Sequence, residues 1–142
     1  MYRIIYLSSA DDTVTETELQ NLLKKSKIYN SKNLITGILL HIDGDFIQVL
    51  EGDETIVTEL YDKIKIDKRH KGVIIVSKSP VKDRQFAEWS MGYKSTNYAE
   101  LSKIDGLKEF NRSLLFSNDE KIALTFLSVF LKSHRTHVNI IT

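Results

Sequence analysis

Two strand-length runs of β-branched and aliphatic residues, 35–42 and 45–50, are separated by Asp43-Gly44 alone. A two-residue Asp-Gly connection supplies the positive φ of a tight hairpin, so the chain is committed here to a pair of adjacent antiparallel strands. The second strand, Phe46-Ile47-Gln48-Val49-Leu50, carries an amide in the middle of an apolar run. A buried amide left without partners costs about 1–3 kcal/mol. Gln48 therefore calls for a bond to Tyr6 or to a backbone group, an exposed strand face, or the polar edge of a ligand. Spacing alone leaves these open.

The flanking segments extend the hairpin into a sheet. Residues 2–7 alternate, with Tyr2, Ile4 and Tyr6 on one face and Arg3, Ile5 and Leu7 on the other, which predicts strand one. From Thr15 the period becomes helical, and Leu19, Leu22, Leu23 and Ser26 share the face of a helix predicted to end near Ile28. Asn30 then falls in a turn just beyond it, a place where asparagine commonly caps. Glu51-Gly52-Asp53 breaks strand three, and Ile56, Val57, Leu60, Tyr61 and Ile64 define helix two to about Lys65. Asp67, Arg69 and His70 follow in a charged turn. Residues 72–77 and 86–93 are predicted as strands four and five, the last with Trp89, Met91 and Tyr93 on one face. The order βαββαββ opens with a split βαβ unit, an α+β, ferredoxin-like sheet with both helices on one face. Strands one and three are then neighbours, and Tyr6 and Gln48 project together toward the helices.

Beyond the sheet, the chain divides into a domain of residues 1–95 and a helical extension of residues 96–142. Leu107, Phe110, Leu114 and Leu115 mark one helix of the extension. Ser117-Asn118-Asp119-Glu120 resembles a capping box before a second, over 121–134, apolar nearly all round. Such a helix must be buried, either across the uncovered sheet face or in a subunit contact.

Several function classes fall away. Twenty basic against nineteen acidic residues give a net charge of +1, too small a field to hold nucleic acid or an anionic membrane, and strand three lacks the basic–aromatic pattern of RNA-binding sheets. The absence of cysteine rules out thiolate chemistry and suits a reducing compartment. Without the blocks of a signal peptide, and with residues 122–131 as the most apolar stretch, the expectation is a cytoplasmic protein with no membrane span. The four histidines suggest no metal site: His41 and His70 lie far apart, and His134 and His137 have no nearby carboxylate. No Ser-His-Asp set, Walker A sequence or GxGxxG signature occurs, and Tyr6-Leu7-Ser8-Ser9-Ala10 is not a phosphate cradle of acylphosphatase type. The chain is not expected to be an enzyme.

Taken together, Tyr6, Asn30, Ile35-Thr36-Gly37-Ile38-Leu39-Leu40, Phe46 to Gly52 with its central Gln48, Asp67-Lys68-Arg69-His70 and Trp89-Ser90-Met91 resemble the BLUF photoreceptor domains in order and spacing. The resemblance spans about residues 1–95. It implies one flavin between the two helices, usually FAD, with FMN or riboflavin as alternatives. By position it implies that Leu22 and Ile64 flank the ring, Asn30 meets its carbonyl–imide edge, Arg69 reaches the other carbonyl, and Asp67 and His70 lie toward the ribityl side. Gln48 is implied to bridge Tyr6 and the flavin, with Ser8 and Ser26 as modulating hydroxyls and Trp89 and Met91 as reporters of the glutamine's state. The implied function is a reversible, red-shifting blue-light switch, read out by self-assembly as a homo-oligomer or by a separate regulatory protein. Where relatives often carry histidine or asparagine before Asn30, this chain has Tyr29. The rival expectation is a light-insensitive ferredoxin-like module that binds a small ligand or a protein.

Overall fold

A computed structural model describes residues 1–134 and 139–140; His137, and with it the His134/His137 spacing, lies outside the described residues. The elements are β1 (Tyr2–Ala10), α1 (Glu16–Lys32), β2 (Thr36–Ile42), β3 (Asp45–Gly52), α2 (Glu54–Lys65), β4 (His70–Pro80), β5 (Gly92–Thr96), α3 (Tyr98–Leu101), α4 (Arg112–Leu115), α5 (Glu120–His134) and β6 (Asn139–Ile140). The sheet order is β4-β1-β3-β2-β5-β6. β3 lies antiparallel between β1 and β2, and β5 joins the edge of β2 in parallel. This is the expected split βαβ arrangement.

Local chemistry sets the boundaries. Asp43 at φ 49° and Gly44 at φ 86° turn the hairpin through two left-handed residues, the geometry whose twist matches the flanking strands. Thr15 and Asp53 cap α1 and α2 by accepting the backbone N–H of Glu18 and Ile56. α1 runs a full turn past its predicted end. Asn33 closes it, with both its backbone N–H and its Nδ2 bonded to the Tyr29 carbonyl, and Leu34 leaves at φ 55°. Asn30 is thus a buried residue of the last helical turn rather than a cap.

The sheet carries a core on each face. Tyr2, Ile4, Tyr6, Leu39 and Leu50 pack against Leu19 and Leu23 of α1 and Val57 and Tyr61 of α2. On the opposite face Ile5, Leu7, Ile38, Leu40, Ile47 and Val49 pack against Leu107, Leu115, Ala123, Phe126, Leu127 and Phe130. Of the two fates open to the last helix, α5 takes the first and lies across the sheet. It is not apolar all round, since Lys121, Thr125, Ser128 and Lys132 face solvent. Nor is there one helix over 107–115: Gly106 at φ 93° turns the chain, and only Arg112–Leu115 is helical. The expected capping box also resolves differently. Asp119 accepts the N–H groups of Lys121 and Ile122, while the Glu120 carboxylate accepts from Ser77 Oγ at 2.9 Å.

Strand five differs most from expectation. It begins only at Gly92, and residues 86–91 cross from one face of the sheet to the other at the β2 edge. Trp89 belongs to the core beneath the extension and Met91 to the core beneath α1 and α2, so the two do not share a face. The Trp89 carbonyl accepts the N–H of Gly37 at 3.0 Å, continuing the β2 edge just ahead of β5. A Cβ at position 37 would fall 1.8 Å from the Val49 carbonyl oxygen, so only glycine permits that close approach.

Candidate functional site

Between α1, α2 and the sheet lies a cavity of about 280 Å³. Its floor is Tyr6 of β1, Leu39 of β2 and Phe46 and Gln48 of β3; Leu22, Ser26 and Asn30 form one wall, Leu60 and Ile64 the other. Met91 closes it from the crossing segment, and Asp67, Arg69 and His70 stand at the end of α2.

The β1–β3 register places Tyr6 directly opposite Gln48. The Tyr6 hydroxyl donates to Gln48 Oε1, and Gln48 Nε2 reaches Met91 Sδ at 3.5 Å. Gln48 is 6% exposed, so both ends of its amide are committed within the protein or to whatever fills the cavity. Burial raises the Tyr6 phenol far above the usual range, and the nearby Tyr61 and Asp67 push the same way. Tyr6 keeps its proton.

Asn30 is 1% exposed and donates through Nδ2 to the Ser90 carbonyl at 2.7 Å. Its Oδ1 is buried in the cavity wall with no hydrogen-bond partner from the protein. A native structure rarely leaves such an acceptor unpaired, and an N–H on a ligand is its natural complement. Asp67 and Arg69 form a fork, Nε to Oδ1 at 2.9 Å and Nη2 to Oδ2 at 2.5 Å. That pairing holds the carboxyl below its ordinary range and raises the guanidinium. Both groups are part-exposed, so the fork contributes position more than stability. His70 bonds Ser8 Oγ through Nδ1 at 3.0 Å and the Ile64 carbonyl through Nε2. The carbonyl accepts only, so Nε2 is the donor in that bond.

Of the residues singled out in the sequence, Tyr6, Leu22, Ser26, Asn30, Gln48, Ile64, Asp67, Arg69, His70 and Met91 line the cavity. Ser8 does not; it is fully buried and touches the site through His70. Trp89 does not line it either. Sequence reasoning passed over Leu39 and Phe46, although both were legible: Leu39 pairs with Gln48, and Phe46 shares its strand parity. It also passed over Lys25 and Lys63, exposed lysines that line the cavity from opposite helices. Lys63 Nζ lies 5.9 Å from the Tyr29 ring centroid, a contact that joins α2 to α1.

An acceptor buried on one wall, a primary amide at the floor and aliphatic side chains from both helices fit a flat heteroaromatic ring with one polar edge. The fold and site therefore define a class, an α+β ligand-binding domain with a phenol–amide pair in contact with its ligand cavity. The family model described as BLUF, sensors of blue-light using FAD, matches residues 1–92, and the chain belongs to that family. It is 34% identical over 89 residues to the photoactivated adenylate cyclase subunit beta of Euglena longa, a match that covers 62% of this chain and 10% of that protein. The chain thus spans about a tenth of the length of such a relative. Among solved structures, the BlsA ground state superposes with a TM-score of 0.78 at 25% identity, over 89% of this chain and 85% of that one. A bacterial light-regulated adenylyl cyclase gives 0.63 at 29% identity, over 95% of this chain and 35% of the other. BLUF domains are flavin-binding blue-light sensors, and the cyclase activity of these relatives lies outside the part that matches. Among the described residues no helix is long and apolar enough to cross a membrane.

Proposed function

We propose that this chain is a cytoplasmic blue-light photoreceptor whose switch is the Tyr6–Gln48 pair, with no catalytic reaction of its own. The observation that carries the reading is the hydrogen bond from the Tyr6 hydroxyl to Gln48 Oε1 at the floor of the cavity, beside the unpaired Asn30 acceptor. Asn30, Gln48, Leu22, Ile64, Asp67, Arg69 and His70 are the residues that would hold the flavin, with Ser26 in the cavity wall and Ser8 behind His70 as modulating hydroxyls. A bound flavin supplies blue absorption and, when excited, a strong one-electron acceptor. Tyr6 is suited to be the donor: its buried phenol is neutral at rest, and loss of an electron makes a phenol strongly acidic. Its proton already lies on the bond to Gln48 Oε1, so as Tyr6 gives up an electron the amide can take that proton at Oε1 and release one from Nε2 toward the electron acceptor, and return of an electron and a proton to Tyr6 would restore the neutral phenol. The amide offers both a donor and an acceptor, so Gln48 can settle in a rotated or tautomeric form with a new set of partners, Met91 Sδ among those it exchanges.

FAD is the flavin we assign, with FMN next and riboflavin last. Lys25 and Lys63 favour the phosphorylated forms, because two ammonium groups flank the cavity from opposite helices. For output we divide the chain into a sensor of residues 1–95 and an extension of residues 96–142 that passes the change to a separate regulatory protein. Self-assembly as a homo-oligomer is the second output we assign; a monomer by light scattering at every concentration, in darkness and in light, would sink it. The photoreceptor itself is tested by reconstituting the purified protein with flavin and recording spectra around a blue flash. A reversible red shift supports the switch, whereas protein that takes up no flavin would be a light-insensitive ligand- or protein-binding module.

A further inference from the structure

Glu51 is a carboxylate with no exposed surface, on the face of β3 opposite to Gln48. A charge buried this completely persists only when hydrogen bonds replace its water. Here Oε2 accepts the backbone N–H of Gln85 at 2.8 Å, and Oε1 accepts that of Phe86 at 2.9 Å and the Thr36 hydroxyl at 3.3 Å. Arg84 braces the same junction, donating to Thr36 Oγ1 at 2.7 Å, the Glu51 carbonyl at 3.1 Å and the Leu34 carbonyl at 2.6 Å. From Phe86 the chain runs irregularly to Met91, held at its far end by Gly37 on the Trp89 carbonyl and Asn30 on the Ser90 carbonyl. The segment from Gln85 to Met91 is therefore pinned at both ends. Its path decides that Trp89 enters the core beneath the extension while Met91 enters the core that contains the switch.

We propose that Glu51 is the positioning residue that fixes the Trp89-Ser90-Met91 segment, so that the sulfur of Met91 meets the amide of Gln48 while Trp89 stays seated under the extension. The inference rests on the photoreceptor reading for its consequence in the light reaction, and on geometry alone for the placement of Trp89. Two charge-assisted bonds to consecutive backbone N–H groups set the entry of the segment, and charge assistance makes each stronger than a neutral bond. Substitution by glutamine keeps the size and one acceptor but turns an NH₂ group toward the second N–H. Glu51 touches neither Gln48 nor the cavity, so its influence on them runs through the segment it holds.

Trp89 is the sole tryptophan in the sequence, so its fluorescence reports this segment alone. The test compares wild type, Glu51→Gln and Glu51→Ala, each reconstituted with FAD, by acrylamide quenching of tryptophan and by the rate of dark recovery after a blue flash. We expect Glu51→Gln to bind FAD, to show quenching raised about threefold or more, and to change the recovery rate by a similar factor, the effect of weakening one charge-assisted bond. Quenching and recovery both within twofold of wild type in Glu51→Gln would overturn the proposal, whatever Glu51→Ala does to stability. If Glu51→Ala does not fold, Thr36→Val, which removes the third donor to the carboxylate, is expected to shift both readouts in the same direction. Wild type that shows no light-induced shift would defeat the photoreceptor reading, while quenching in Glu51→Gln would still decide whether Glu51 seats Trp89.

Discussion

Tyr6, Gln48 and Asn30 owe their properties to how little water reaches them. Tyr6 is neutral because its anion would be buried, and that preference couples to stability. Its folded pKa lies above the unfolded value of 10.0, so the folded protein retains a proton that the unfolded chain gives up. The contribution is complete below pH 10 and is lost as pH rises beyond it, with a limiting slope of about 1.4 kcal/mol per pH unit for this one group. Tyr6→Phe should flatten the alkaline fall in stability by about 1.4 kcal/mol in total between pH 9 and 11, as measured by urea unfolding; an unchanged fall would show that Tyr6 ionises freely. Asn30 donates to the Ser90 carbonyl, and its buried Oδ1 has no partner from the protein; the proposed role of that acceptor is to meet the ligand. Asn30→Ala should therefore weaken flavin binding by about tenfold in a fluorescence titration, the worth of one buried hydrogen bond.

Among the elements, the junction between the sheet and the extension turns on Asp45 of β3. Its carboxylate accepts Arg112 Nε at 2.8 Å, the Tyr98 hydroxyl at 2.9 Å and Ser9 Oγ at 3.2 Å, joining α3 and α4 to β1 and β3. Burial and the Asp45 charge keep the Tyr98 phenol protonated and donating. Asp45→Ala should cost about 1–3 kcal/mol in urea unfolding, chiefly through the stranded Tyr98 hydroxyl. Arg112 is 58% exposed and adds little. The elements also show what a single sequence discloses. Strand period and the split βαβ order put Tyr6 and Gln48 on one face of neighbouring strands, and the β1–β3 register, which no local signal encodes, sets them directly opposite each other. Asn30 was misplaced because asparagine's tendency to cap is weaker than the continuation of a helix already formed, and Asn33 three residues later does the capping. Trp89 and Met91 were misplaced because their spacing imitates a strand, while tertiary bonds from Glu51, Gly37 and Asn30 bend the segment across the sheet edge. Nothing local in the sequence encodes those three partners.

For the whole molecule, the extension is part of the fold. The sheet face bearing Ile5, Leu7, Ile47 and Val49 has α5 and the chain before it as its cover. A chain ended after Asn97 should lose cooperative thermal unfolding or precipitate, because that apolar face would open to water; a cooperative, soluble fragment would show that the extension docks without being required. The two cores share one sheet, with the switch on one face and the extension on the other. Between them the chain from Gln85 to Met91 touches both: Met91 meets Gln48 on one face, and Trp89, two residues earlier, lies in the core of the other. The central claim is that Gln48 converts the light reaction into a change of hydrogen bonds. It is tested most directly by absorption spectra before and after blue illumination of the flavin-loaded wild type and Gln48→Leu. A reversible red shift in the wild type that vanishes in Gln48→Leu, with flavin still bound, is the predicted result; a shift of equal size in both would contradict it.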